Sequence, residues 1–459
     1  MHDSTAQFWL GLLSLGGDAE HRARLWNAYL GQHLPARTQR EPQPGSGWPT
    51  AFIPPPADGW PTMTPEEEAS IEELARDSGG HPVFGYSFMN FQGYSFSDSV
   101  DLSGLTLIYA NFDNAAFEAE VSLSSDTRFL HDCSFRGVRF MDRVSAWGPH
   151  FLCPVDFVNS IFEGPAWFHS VTFEGGASFN HVVFKEQVSL NDSRFEQLYY
   201  SSAMMPLYLA DFRYAKFEGR ARFHRTVFGS DPEVHSRQLT PGRNADFTGA
   251  TFERPTEFQK ATFVGPPAFF ATDLHEDTNF SSVEWGEGTT DRGRLRYAIR
   301  AWERLELLMS DLEKPLDRHR FFRLKMRARR KEESALIRTL NWLFETIADY
   351  GWGVRRAVYA WAVLWLGGGV LFSGSVAASG DNGNWRDWLI AGLATSFSNA
   401  HAFLGLADEG GYLAEFRTVV ENNDGWGVVN SIGVLQVVLG PIFLFFVLLT
   451  MRNRFRLGG

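Results

Sequence analysis

Cysteine is nearly missing from this chain. Cys133 and Cys153 are its two copies in 459 residues. That is too few for a disulfide scaffold and suits a reducing compartment. No nucleophile motif, phosphate loop or paired-carboxylate spacing occurs, so a non-enzymatic protein without a cofactor is expected. A secretory signal is not expected either: Phe8 to Leu15 is apolar but short, and no basic segment precedes it. Basic residues are scarce in the first 290 positions, with 20 against 37 acidic (−17), whereas residues 291–356 hold 17 against 10 (+7). A long apolar run is absent until residue 357.

Phenylalanine is abundant, with 41 copies, and its spacing is regular. From Val155 to Phe195, large residues fall at Phe157, Phe162, Phe168, Phe173, Phe179, Phe184, Leu190 and Phe195, in steps of five and six. Two positions before each stands a small or β-branched residue: Val155, Ser160, Ala166, Val171, Ala177, Val182, Val188 and Ser193. Neither a helix nor a long strand has this period. A chain that turns a corner about every five residues does, and that is the mark of a solenoid. The lattice is read from Leu102 and Leu107 onward. It passes through Ala146 and Phe151, then Ser201 and Pro206, breaks at the insertion 230–244, and ends at Phe280 and Trp285. Four sides per coil predict roughly eight coils.

The triplets Ala-Asn-Phe at 110–112, Val-Asp-Phe at 155–157, Ala-Asp-Phe at 210–212 and 245–247, and Thr-Asn-Phe at 278–280 resemble the pentapeptide-repeat family. The resemblance implies a β-solenoid, a right-handed quadrilateral β-helix with the central Phe and the small residue in the lumen. The six-residue steps depart from the strict repeat and are expected to bulge alternate corners. Asp residues on the lattice read as corner hydrogen-bonders. His131 and Cys153 fall one coil apart at one corner, with Cys133 inward, but zinc favours four ligands and no metal site is expected.

Around the solenoid (83–290) the chain reads as an N-terminal helical cap with a Pro-rich linker (1–82), a basic amphipathic helical linker (291–356) and a membrane domain (357–459). In the cap, Thr64, Pro65 and Glu67 predict a capped helix start. In the linker, Leu336, Leu340, Leu343 and Ile347 predict the buried side of one helix. Ala357–Ala378 and Val428–Met451 are apolar runs of 22 and 24 residues, long enough to span. Trp388–Ala407 is interrupted by a polar run and reads as re-entrant. Two spans put the basic flanks on one side and the loop 379–427, with two basic and seven acidic residues, on the other. The expected architecture is therefore a β-helix, an α-helical linker, and two transmembrane helices with a re-entrant helix. The protein would be multi-pass in the inner or cell membrane, with both termini cytoplasmic.

Span, re-entrant helix, span is similar to the pore module of two-transmembrane channels. Residues 291–459 also resemble membrane-attached, channel-like members of the repeat family, through Asp349-Tyr350-Gly351 and Arg452-Asn453-Arg454-Phe455-Arg456. Thr395, Ser396, Ser398, Asn399 and His401 are candidates for a pore mouth. Asn430, Gly433, Gln436 and Gly440 are candidates for a pore stripe, with helix–helix packing as the alternative. A potassium filter is not matched by NAHAFLGLADEGGYL. Two spans cannot enclose a pore alone, so a homo-oligomer, by analogy a tetramer, is implied. Arg318, Arg320, Arg323, Lys325, Arg327, Arg329, Arg330, Arg452, Arg454 and Arg456 are expected to face anionic lipid. Three roles remain open: a channel with a sensing or assembling cytoplasmic rod, a tethered scaffold binding protein partners on the rod, and an acidic mimic of nucleic acid. A membrane location places the last of these third, and nucleic acid itself is not an expected partner.

Overall fold

The computed structural model describes residues 3–34, 59–82, 88–131, 133–196, 209–229, 245–286, 292–378, 384–401 and 426–456. The chain forms two compact units, Met1–Arg329 and Arg330–Gly459.

The first unit is built on four parallel sheets of seven, seven, seven and eight short strands, and the chain visits one sheet after another. This is a four-sided β-helix. Pairing fixes the coil length: Val155 lies beside Ala177 and Ile161 beside Val183, each 22 positions on. Two five-residue and two six-residue sides make that 22. Because register is parallel, each residue sits over its counterpart about 4.8 Å away. Phe157, Phe179, Phe212 and Phe247 therefore form one stack, with centroids 5.0, 4.9 and 5.1 Å apart and planes within 5°. The small residue two positions earlier points the same way, since side-chain direction alternates along a strand. Val155, Ala166, Ala177, Ala210 and Ala245 are all buried beside the rings.

Hydroxyls in small slots are satisfied from the neighbouring coil. Ser160 Oγ donates to Phe135 O at 2.5 Å, Ser193 Oγ to Phe168 O at 2.7 Å and Thr226 Oγ1 to Leu190 O at 2.7 Å. The pattern's Asp or Asn works at the corner, where Asp156 Oδ1 accepts from Val158 N–H and Asp246 Oδ1 from Thr248 N–H, both at 2.8 Å. Five-residue sides close with a tight turn, as where Ser160 N–H donates to Phe157 O, and the residue before it, Asn159, is left-handed at φ 60°. The six-residue side from Phe162 to Phe168 bends at Gly164, where a Cβ would come within 2.6 Å of the Asp142 carbonyl carbon. The irregular step thus falls at a close approach between coils.

Two lattice expectations are corrected. The stack begins half a coil earlier than Leu102, at Phe91, because Phe91 lies on Phe112 and Phe96 on Phe117 at 4.9 and 4.5 Å. Between Phe195 and Phe212 the strand pairing departs from the step count. Ala177 pairs directly with Ala210, so the 33 positions between them exceed one coil by 11. Ser201 and Pro206 fall outside the described residues, as does the insertion 230–244. Ala146 does occupy a lattice site, between Leu123 and Phe168 on one sheet. Its small side chain leaves an apolar void of about 20 Å³ among Leu123, Phe129, Phe151 and Phe168. Ala146→Leu should raise stability by about 1–2 kcal/mol, the value of two or three added methyl or methylene groups less some strain. A lowered midpoint in a thermal melt would show the void already collapsed.

Helices cover both ends of this β-helix. α1 (Asp3–Leu15), α2 (Ala19–His33) and α3 (Pro65–Asp77) lie at the first coil. α3 begins with the Thr64–Glu67 capping box. Trp26 Nε1 donates to Thr106 O at 2.8 Å, and Asn27 bonds both Thr106 N–H and Gly104 O. These contacts satisfy groups that an open sheet edge would leave bare. At the last coil, α4 (Arg292–Asp311) and α5 (Pro315–Arg330) place Trp302 and Phe321 against Trp285, at 6.0 and 4.9 Å.

The second unit holds α6 (Ala335–Ala348), a turn at Asp349–Gly351, α7 (Val354–Ala378), α8 (Trp385–Ala400) and α9 (Trp426–Arg456). Stretches of α7 and α9, Val354–Gly374 and Ser431–Asn453, are long and apolar enough to cross a membrane. The expected burial of one face of α6 is overturned: Leu336 is 71 % and Leu340 57 % exposed, and Leu343 is exposed too. Periodicity correctly gave an apolar face but not what covers it.

Candidate functional site

The candidate pore residues lie in the second unit, where α7, α8 and α9 pack together. Three consecutive glycines, Gly367-Gly368-Gly369, flatten one face of α7. A side chain on Gly368 would collide with Gln436, and one on Gly369 would meet Leu393 of α8. Close approach of this kind is how helices associate where no hydrophobic drive separates them from their solvent.

Polar side chains fill the contact. Gln436, on α9, is 1 % exposed and Ser396, on α8, is fully buried. The two amide hydrogens of Gln436 go to Leu364 O at 2.9 Å and Ser396 Oγ at 2.7 Å. Ser396 Oγ in turn donates to Trp365 O at 2.5 Å. One Gln–Ser pair therefore ties three helices. Gln436 Oε1 is buried and has no hydrogen-bond partner among the described residues. An unmatched carbonyl oxygen is costly in a low-dielectric interior and remains an open acceptor there.

The other candidates are placed as follows. Thr395 Oγ1 donates back to Ala391 O at 2.8 Å within its own helix. His401 is buried, its ring stacked on Phe397 at 4.1 Å and its Nδ1–H donating to Phe397 O at 2.8 Å. Ser398 and Asn399 are half-buried, and Asn399 lies over Gly433. Gly440 is buried against the Ala400 backbone. The Asn430 side chain and residues 402–425 are outside those described. Ser396, Gln436 and Gly440 are thus brought together in helix contacts within one chain. Sequence reading missed Trp365, Ser373 and Gly368; the triple glycine was the available signal. Ser373 Oγ lies 2.8 Å from Gly369 O and 2.9 Å from Trp388 O.

Gln436→Leu and Ser396→Ala should each cost about 1 kcal/mol, the usual net worth of a buried hydrogen bond. The double variant should cost clearly less than the sum. Full additivity in detergent unfolding would show the pair uncoupled.

The basic residues are distributed differently from a lipid-facing strip. Lys325 is 9 % exposed and its Nζ meets Glu306 Oε2 at 2.5 Å, so it faces α4 and not lipid. Arg320 donates to Val283 O at 2.5 Å, and burial holds its pKa below the usual guanidinium value. Arg330 pairs with Glu345 at 2.6 Å. Arg323 and Arg327 are half-buried; Arg318, Arg329 and Arg452 are exposed, Arg329 lying 3.7 Å from Glu303. The side chains of Arg454 and Arg456 are outside those described. The reason is local: the last coil ends in open carbonyls and α4 carries carboxylates, and both draw the cations of α5.

His131 stacks on Tyr109 at 4.7 Å, and Cys133 and Cys153 are buried and not joined in a disulfide. Among the described residues no group of three or more His, Cys, Asp or Glu side chains is placed to hold a metal.

A family model described as pentapeptide repeats matches residues 157–199. No curated protein and no solved structure matches the chain. In the matched stretch every lattice site from Phe157 to Phe195 holds Phe or Leu, and the chain carries pentapeptide repeats there.

Proposed function

We propose that this chain is a membrane-anchored β-helix protein. Its α7 and α9 cross the cell membrane, and α8 enters and leaves from the far side. The β-helix and both termini lie on the cytoplasmic, arginine-bearing side. The observation that carries the reading is the outward apolar surface of the two long helices. Tyr359, Val363, Val370 and Leu371 of α7 are exposed, as are Val434, Leu435, Val438, Phe445 and Leu448 of α9. Water does not tolerate a surface of that extent, and lipid does. At 16 residues α8 is about 24 Å long, shorter than the roughly 30 Å hydrocarbon layer. Its N-terminal Arg386 and Asp387 favour a polar start. The role assigned is non-catalytic: the flat walls of the β-helix present a surface to a protein partner. In cell membranes the chain should resist alkaline carbonate extraction, and a truncation after residue 353 should be released. Extraction of the full chain would overturn the anchor.

Pore formation by a homo-oligomer, a tetramer by analogy, is the second reading. The open Gln436 Oε1 favours it, since an acceptor inside the bundle suits water or a cation. Against it, Ser396 and both Gln436 amide hydrogens are consumed within the chain. A closed ring in nanodiscs with measurable conductance supports the pore; a non-conducting monomer leaves the anchored scaffold.

A further inference from the structure

Among the described residues, α6 is an amphipathic helix whose apolar face is left uncovered. Leu336, Ile337, Leu340 and Leu343 are exposed along it, and Trp342 is exposed on another side. Its protein-facing side carries Glu345 and Ala348, both buried. Glu345 is taken by Arg330, so the exposed charge on the helix itself is the cation Arg338.

Its position is fixed by contacts inside the second unit. Phe344 stacks on Phe446 of α9 at 5.4 Å, and Asn453 Nδ2 donates to Gly351 O at 3.1 Å just beyond α6. Phe446 lies six residues before Arg452, about 9 Å along the helix. The C-terminal end of α6 is therefore held at the level where α7 begins with exposed Arg355 and Arg356 and where α9 reaches exposed Arg452.

We infer that α6 is an in-plane membrane helix, with Leu336, Leu340 and Leu343 sunk into the acyl–headgroup boundary and Arg338 among anionic headgroups. This rests on the membrane-anchor reading and extends it, because lipid contact then begins before the first span. A helix with leucines on one side, a cation on the opposite, polar side, a tryptophan between them, and a fixed seat at the basic end of two apolar helices has the chemistry of an interfacial segment. Lipid is favoured over a second copy by charge: self-association through this end would bring arginine-bearing surfaces together.

The test uses the full chain in nanodiscs containing anionic lipid. Leu340→Cys, Thr346→Cys and Val363→Cys each carry a nitroxide, with the parent chain as the control for the buried Cys133 and Cys153. Collision rates are read with oxygen, which concentrates in lipid, and with a water-soluble nickel chelate. At Leu340 the oxygen-to-nickel ratio should exceed that at Thr346 severalfold and approach that at Val363. A Leu340 label as open to nickel as Thr346 overturns the inference while a lipid-exposed Val363 keeps the anchor. A Leu340 label shielded from both reagents also overturns it, in favour of a covering copy. Nickel access at Val363 removes the anchor, and this inference with it.

Discussion

Phe179→Ala should cost the β-helix unit about 3–5 kcal/mol, the largest single loss expected from any lumen substitution. The ring is fully buried and touches counterparts above and below, Phe157 at 5.0 Å and Phe212 at 4.9 Å. It also meets Phe168 and Phe173 edge-on, at 6.1 and 6.2 Å. The backbone around it is pinned on two sides by paired strands, so the coil cannot collapse into the space. Phe179→Leu keeps most of the volume and should cost about 1 kcal/mol. Urea unfolding of the full chain in detergent reads both. A loss below about 1 kcal/mol for the alanine would mean that the coils do relax inward. Because each coil of a solenoid touches only its neighbours, the damage should show first as hydrogen exchange around Phe157 and Phe212, not at the capped ends.

The second large effect is expected in the second unit. Gly440→Ala would set a methyl group onto the Ala400 backbone carbonyl, and a backbone cannot swing aside as a side chain can. Either α8 moves off α9 or the substitution costs about 1–3 kcal/mol or more. Gly433→Ala is the matched control, since its Cβ would sit 3.4 Å from Asn399 Nδ2, an ordinary contact. Equal unfolding free energies for the two variants would show that the close approach at Gly440 is not needed. The following residue, Pro441, withdraws one N–H from α9 at the same place, so local backbone bonding there already depends on neighbours.

The β-helix was legible because its signal is both local and global. A Phe that meets its own counterpart one coil away must recur at the coil spacing, and so Phe157, Phe179 and Phe212 announce their stack. The same logic failed between Phe195 and Phe212. Stepping alone reached Phe212 through Ser201 and Pro206, which lie outside the described residues, but it could not show that Ala177 pairs with Ala210 across 33 positions. In the helices the sequence carried less. The Gln436–Ser396 bond joins positions 40 apart, set by how three helices pack, and no spacing encodes it. The cations of α5 read as a lipid-facing strip because charge pattern does not name its counter-ion. Lys325 found Glu306, and Arg320 found a carbonyl of the last coil. The exposed leucines of α6 are the same lesson in reverse.

The two places where strand pairing skips extra chain share one edge of the β-helix. Both excursions leave after a strand of the eight-stranded sheet, Arg194–Phe195 and Val227–Phe228, and both return to the same next sheet at Ala210 and Ala245. They surpass one coil by 11 and 13 residues on consecutive turns, yet Phe179, Phe212 and Phe247 stay aligned to within 3°. That edge behaves as a seam. Chain length is free to drift there, at roughly 0.6 kcal/mol for each doubling of a loop, while the masonry on either side keeps its courses. A foreign peptide spliced between Phe195 and Ala210 should leave the stack of Phe179 on Phe212 in place.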